Sequence, residues 1–230
     1  MLQKISLRKS GRACSPCTES RTVIAPSLPG YPGATGHTVL DTHLDWVLAV
    51  RQLIEKAGLA GSDLIGASVG GGFAAEIAAI FPGHVRKLVL IAPFGLFDEA
   101  DPPADPWAQR RDNVPALMCT DPAKWEALVA APEGANSIEW PIEMVRAAEA
   151  AARAFWPLGN TKLEKRLPLI AVPTLVLWGE ADKVLPPSYA KKFAVAMNSS
   201  TRVQTIRNAG HLAYLDQPEA VAKAVLGHLG

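Results

Sequence analysis

The chain has 230 residues, 49% hydrophobic and 20% charged, which suffices for the core of one domain and argues against two independent ones. Lys and Arg number 23 against 22 Asp and Glu, and a net charge of +1 supplies no global field for nucleic acid or an anionic membrane, so the expected partner is a small molecule. Three cysteines, Cys14, Cys17 and Cys119, are an odd number in a chain too large to need disulfide staples, so the expected compartment is reducing, the cytoplasm.

The opening residues, MLQKISLRKSGR, lack the unbroken apolar stretch of a secretory signal, and no run in the chain approaches the roughly 18 apolar residues of a membrane span. Cys14 and Cys17 form a single C-x-x-C, which without a second pair reads as an accidental spacing rather than a metal or redox site. Residues 1 to 20 are therefore set apart as an atypical amino-terminal segment. Beyond them, short β-branched runs alternate with longer helical patterns, the mark of an α/β fold with a mostly parallel sheet flanked by helices.

In chain order, Arg21 to Pro26 (RTVIAP) reads as a strand. Val39 to Ala57 has apolar residues at helical spacing and stops at Gly58. Asp63 to Ala67 and Lys87 to Ala92 read as buried strands, with a helix over Gly72 to Phe81 between them that ends at Pro82 and Gly83. Residues 98 to 165 break the alternation: they hold four of the six Trp, many Pro, and helical patterns at Asp121 to Ala130 and Ile138 to Trp156. An insertion at this place is expected to form a helical cap over the carboxyl ends of the strands, leaving 21–97 and 166–230 as the core. Pro173 to Trp178 and Thr201 to Ile206 complete the strands, with a helix over Ser188 to Met197. The last helix is expected to start at Asp216, where D-Q-P-E offers an N-cap and Glu219 three residues on.

The chemistry centres on Gly66-Ala67-Ser68-Val69-Gly70, a G-x-S-x-G between a predicted strand and a predicted helix. Such an elbow puts the serine on a sharp turn with its hydroxyl exposed, and the N–H of Val69, at the helix start, is the natural first oxyanion donor. The overlapping Gly70-Gly71-Gly72-Phe73-Ala74-Ala75 fits the dinucleotide fingerprint by spacing alone, but the next strand, KLVLIAPFG, has no carboxylate before Asp98 where that motif needs one. A serine hydroxyl needs a base to take its proton. Of the five histidines, His37, His43, His84 and His228 lie in a glycine-rich loop, in a helix, ahead of a strand and near the carboxyl end. His211 alone follows a late strand in a short loop, at the same sheet edge as Ser68. Asp182, four residues past the strand end at Trp178, is placed to hold the imidazole; Glu180 and Asp98 are the competing carboxylates. The order Ser68, Asp182, His211 is that of an α/β-hydrolase triad.

On the segments LPGYPG, GASVGGG, LVLIAP, PTLVLWGEADKVLP and NAGHLAYLDQPE, residues 21 to 230 resemble the α/β-hydrolase superfamily. The resemblance implies Ser68 as nucleophile, His211 as base and Asp182 as acid. A serine at the first position speaks against the branches that use aspartate there, and the cap resembles those of small-molecule esterases and carbon–carbon bond hydrolases. This chemistry calls for no metal and no organic cofactor. Trp107, Trp125, Trp140 and Trp156 are candidates for an apolar substrate pocket, with packing of the cap as their competing role.

The family pattern breaks at the amino end. Its sheet has strands before RTVIAP, including a central one whose His-Gly loop supplies the second oxyanion N–H, and residues 1 to 20 contain no such segment. Loss of one oxyanion donor typically costs about 3 to 4 kcal/mol of transition-state stabilisation. The expectation is an amino terminus truncated or frame-shifted from a longer ancestor, with activity impaired. Two functions follow: a serine hydrolase working through an acyl-enzyme, or a non-catalytic relative that binds without turnover.

Overall fold

The computed structural model describes residues 21–197 and 200–230. The expectations for residues 1 to 20, and the Cys14/Cys17 pair with them, lie outside the described residues. Four strands, β1 (Ser62–Ala67), β2 (Val85–Ile91), β3 (Thr174–Gly179) and β4 (Thr201–Ile206), form one parallel sheet in the order β1-β2-β3-β4. Four of the five predicted strands are these. RTVIAP is not a strand: residues 21–28 have no regular structure, and β1 is an outer strand of the described sheet, with Ile65 43% exposed. A β-branched run acquires strand geometry only from a hydrogen-bonded neighbour, and no strand beside it is described.

The helices are α1 (His43–Lys56) and α2 (Val69–Ile80), then α3 (Val114–Met118), α4 (Pro122–Val129) and α5 (Glu139–Phe155) between β2 and β3. After β3 come α6 (Ser188–Ala196), the single turn α7 (Ala213–Asp216) and α8 (Pro218–Leu229). α1 starts four residues later than expected because Thr42 caps it. Its side chain accepts from the N–H of Asp45, whose carboxylate answers to the Thr42 N–H at 2.8 Å. The expected start of the last helix at Asp216 is wrong. Gln217 occupies the N-cap without a side-chain bond, Pro218 opens the helix, and Asp216 instead ends α7 with its carboxylate turned to other partners.

β3 is buried at every position, and its side chains feed two cores. Leu88, Leu90, Val176 and Trp178 point to one face, where they meet Trp46 of α1, Phe73 and Ile77 of α2, Phe155 of α5 and Phe193 of α6. Val89, Ile91, Leu175 and Leu177 point to the other, against Val221, Val225 and Leu229 of α8. Period-two alternation with both faces apolar is what a parallel sheet with helices on both sides requires. Among the described residues no helix is long and apolar enough to cross a membrane.

Candidate active site

Ser68 joins β1 to α2 at φ 53°, ψ −121°, a conformation strained for a residue with a side chain. Main-chain bonds hold it there: its N–H donates to Ile91 O at 2.9 Å, and its carbonyl accepts from Gly72 and Phe94 N–H, each at 3.1 Å. The two flanking glycines are not equivalent. A Cβ on Gly66 would lie 2.3 Å from the carbonyl oxygen of Gly70, so no larger residue fits, whereas a Cβ on Gly70 would meet nothing within 4 Å among the described residues. α2 starts at Val69, three residues before the expected position, directly after the serine. Val69 N–H is thus in the first turn, where backbone donors have no intrahelical acceptor, and the Ser68 side chain does not cap them.

Ser68 Oγ lies 2.8 Å from His211 Nε2, across 143 residues of chain, and His211 Nδ1 lies 3.0 Å from Asp182 Oδ2. His211 is 1% exposed and Asp182 6% exposed, so both groups sit out of bulk water. Because Nδ1 faces a carboxylate, it carries the proton, which leaves Nε2 free to accept from the serine hydroxyl. The other Asp182 oxygen accepts from Val184 and Leu185 N–H, both at 2.9 Å, so the loop after β3 itself orients the carboxylate toward the histidine.

The competing groups lie elsewhere. Glu180 is exposed and accepts from Asn208 N–H, and Asp98 pairs with Lys192 at 2.7 Å. Cys119 is buried, and burial together with the neighbouring Asp216 pushes its thiol up to about 12, so it stays protonated and non-nucleophilic at neutral pH. Among the described residues no cluster of His, Cys, Asp and Glu is suited to a metal ion.

The four tryptophans separate. Trp107 stands 5.4 Å, ring centre to ring centre, from Phe94, which in turn meets the His211 ring edge-on at 5.7 Å. Trp140 donates its indole N–H to Val129 O and so braces α5 against α4, and Trp125 is half-buried on α4. Trp156 is 61% exposed and bonded to Asp105. The structure thus brings Trp107 toward His211 through Phe94, a residue the sequence reading passed over although it stands three positions past the end of β2.

A second polar cluster was also missed. Glu76 of α2, 1% exposed, accepts two bonds from Arg166 at 2.5 Å each and one from His43 Nε2 at 3.2 Å. His43 Nδ1 faces Ala154 O at 2.8 Å, and Arg166 also donates to Thr161 O. The signal was a lone charge in the otherwise apolar run GGGFAAEIAAI.

A parallel sheet with helices on both faces, and a serine on a strained turn between a strand and the next helix, define the α/β-hydrolase fold. The comparisons give the family: the Alpha/beta hydrolase family model matches residues 7–224, and the chain belongs to that family of hydrolases. The chain is 27% identical over 229 residues to monoacylglycerol lipase ABHD6 of Mus musculus, covering 90% of this chain and 67% of that one. It is 25% identical over 203 residues to carboxylesterase YbfK of Bacillus subtilis (strain 168), covering 83% and 64%. Among solved structures, the 2-hydroxy-6-oxo-6-phenylhexa-2,4-dienoate hydrolase BphD from Rhodococcus sp. strain RHA1 superposes with a TM-score of 0.74 at 20% identity, covering 94% of this chain and 82% of that one, a likeness of fold.

Proposed function

We propose that the protein is a serine hydrolase that cleaves a small carboxylic ester through an acyl-enzyme. Ser68 Oγ attacks the carbonyl carbon while its proton passes to His211 Nε2; the imidazolium then gives that proton to the departing alcohol. Water enters, His211 takes its proton, the hydroxide adds to the acyl carbon, and the acid leaves as Ser68 regains its hydrogen. Asp182 holds His211 in the tautomer that accepts at Nε2 and stabilises it when charged. Val69 N–H, at the positive end of α2, is the first donor to the developing oxyanion in this reading.

One observation carries this reading: the unbroken chain from Ser68 Oγ to His211 at 2.8 Å and on to Asp182 at 3.0 Å, with the serine on its strained elbow. The ester preference takes its support from the relatives named as a lipase and a carboxylesterase. Phe94 against the imidazole, with Trp107 packed behind it, supports an apolar acyl or alcohol group. The test is turnover of a short-chain nitrophenyl ester and labelling by a fluorophosphonate, with Ser68→Ala alongside. Turnover and labelling that vanish in the variant are expected. A wild-type protein that does neither, or a variant that does both, sinks the proposal.

A further inference from the structure

We infer that Asp216 is a positioning residue for this reaction: one of its carboxylate oxygens clamps the backbone beside His211 and ties it to the segment that crosses between β2 and β3. The inference rests on the triad reading above. Asp216 is 4% exposed at the end of α7. Its Oδ2 accepts from Gly210 N–H at 2.7 Å and from Thr120 N–H at 2.9 Å, two donors from parts of the chain some ninety residues apart. Gly210 immediately precedes His211.

The residue on the other side of the histidine is held to the same neighbour, since Leu212 N–H donates to Met118 O at 2.8 Å. His211 is thus bracketed by two bonds that both end on, or pass through, residues 118–120. The bracket is close-packed: a Cβ on Gly210 would lie 3.2 Å from Cys119 C and Thr120 N and 3.3 Å from Asp216 Oδ2, tighter than ordinary van der Waals contact. The imidazole has only two side-chain torsions of its own, so the 2.8 Å reach to Ser68 Oγ is set by where this backbone lies. A carboxylate suits the task because charge-assisted bonds to N–H groups are about twice as strong as neutral ones. Among the described residues the other oxygen, Oδ1, is buried with no hydrogen-bond partner, so the bonds this side chain makes to them are those from the two N–H groups.

The experiment compares wild type, Asp216→Ala, Asp216→Asn and Thr120→Pro, with Ser68→Ala as the blank. It reads kcat and KM on a short-chain nitrophenyl ester and the downfield proton resonance of His211 Nδ1–H in its bond to Asp182. Asp216→Ala is expected to lower kcat about 10- to 100-fold with KM within about threefold, and to broaden or abolish the resonance. Asp216→Asn keeps an oxygen for both donors and is expected to recover kcat to within about threefold of wild type with the resonance present. Thr120→Pro removes one donor without touching Asp216 and is expected to lower kcat several-fold; it keeps the test open if the alanine variant does not fold. Wild-type kcat and resonance in folded Asp216→Ala or in Thr120→Pro overturns the inference, as does Asp216→Asn impaired as deeply as Asp216→Ala. Failure of the triad reading looks different: Ser68→Ala would then match wild type in turnover, while the resonance still reports whether Asp216 holds the imidazole.

Discussion

Helix α2 serves two polar clusters about two turns apart, and they are opposites. At its start, Ser68, His211 and Asp182 form a single file of hydrogen bonds in which one proton sits between an oxygen and a nitrogen that can each hold it. Further along, Glu76 is gripped by the guanidinium of Arg166 through two parallel bonds and by His43, and each partner is also bonded to a main-chain carbonyl. The first arrangement lets charge move; the second fixes it, joining α1, α2, the end of α5 and the turn at Leu163–Lys165 into one block. Burial alone does not distinguish chemistry from architecture here, since Glu76 and His211 are both 1% exposed. What distinguishes them is whether a carboxylate is locked by a guanidinium, as Glu76 is by Arg166, or faces only an imidazole, as Asp182 does among side chains.

If that distinction is right, changes at the two clusters should act on different observables. The largest effect is expected from Ser68→Ala, a loss of kcat on the order of 10⁶-fold with the thermal midpoint nearly unchanged, measured by ester turnover and calorimetry. Next comes Asp182→Asn, which spoils the tautomer of His211 and should lower kcat roughly 10⁴-fold. Glu76→Gln should do the reverse. Removing the charge leaves Arg166 without its partner and should cost on the order of 3 kcal/mol of stability, while kcat per folded molecule changes less than about tenfold; a deeper loss of kcat would erase the contrast.

The smallest effect is in acid. Burial by itself would push the Glu76 carboxyl up, but the hydrogen bonds from Arg166 and His43 outweigh it and hold the group below its ordinary 4.5. A carboxyl lowered in the folded state adds stability that is fully present above the unfolded value and is lost as pH falls through the folded one. The melting temperatures of wild type and Glu76→Gln should therefore draw together as pH drops below 4.5. Parallel curves down to about pH 3 would show that the pair has no such linkage.

How much of the fold and the site is legible in the sequence follows from the range of each interaction. The elbow announces itself within five residues, and β2 and β3 announce themselves as apolar runs, because a parallel strand buried on both faces needs nothing but apolar side chains. His211 and Asp182 are singled out by their place after late strands, a rule of topology rather than of local pattern, and the structure puts the two side chains 3.0 Å apart. RTVIAP has strand composition, but composition cannot supply a partner strand. Asp216 was misread because D-Q-P-E fits a local cap, while the bonds it makes reach back to Thr120. Glu76 and Arg166 lie 90 residues apart, and only the unexplained charge inside an apolar helix pointed to them. Phe94 and Trp107 come together through a turn and a loop whose course no periodicity describes.

Ser68 is gripped by its backbone. All three bonds that fix its strained turn belong to the main chain, and the tightest neighbour contact falls on Gly66. The turn is therefore a socket indifferent to the side chain it presents. A thiol installed there would start from the same backbone turn and keep its aim toward the imidazole.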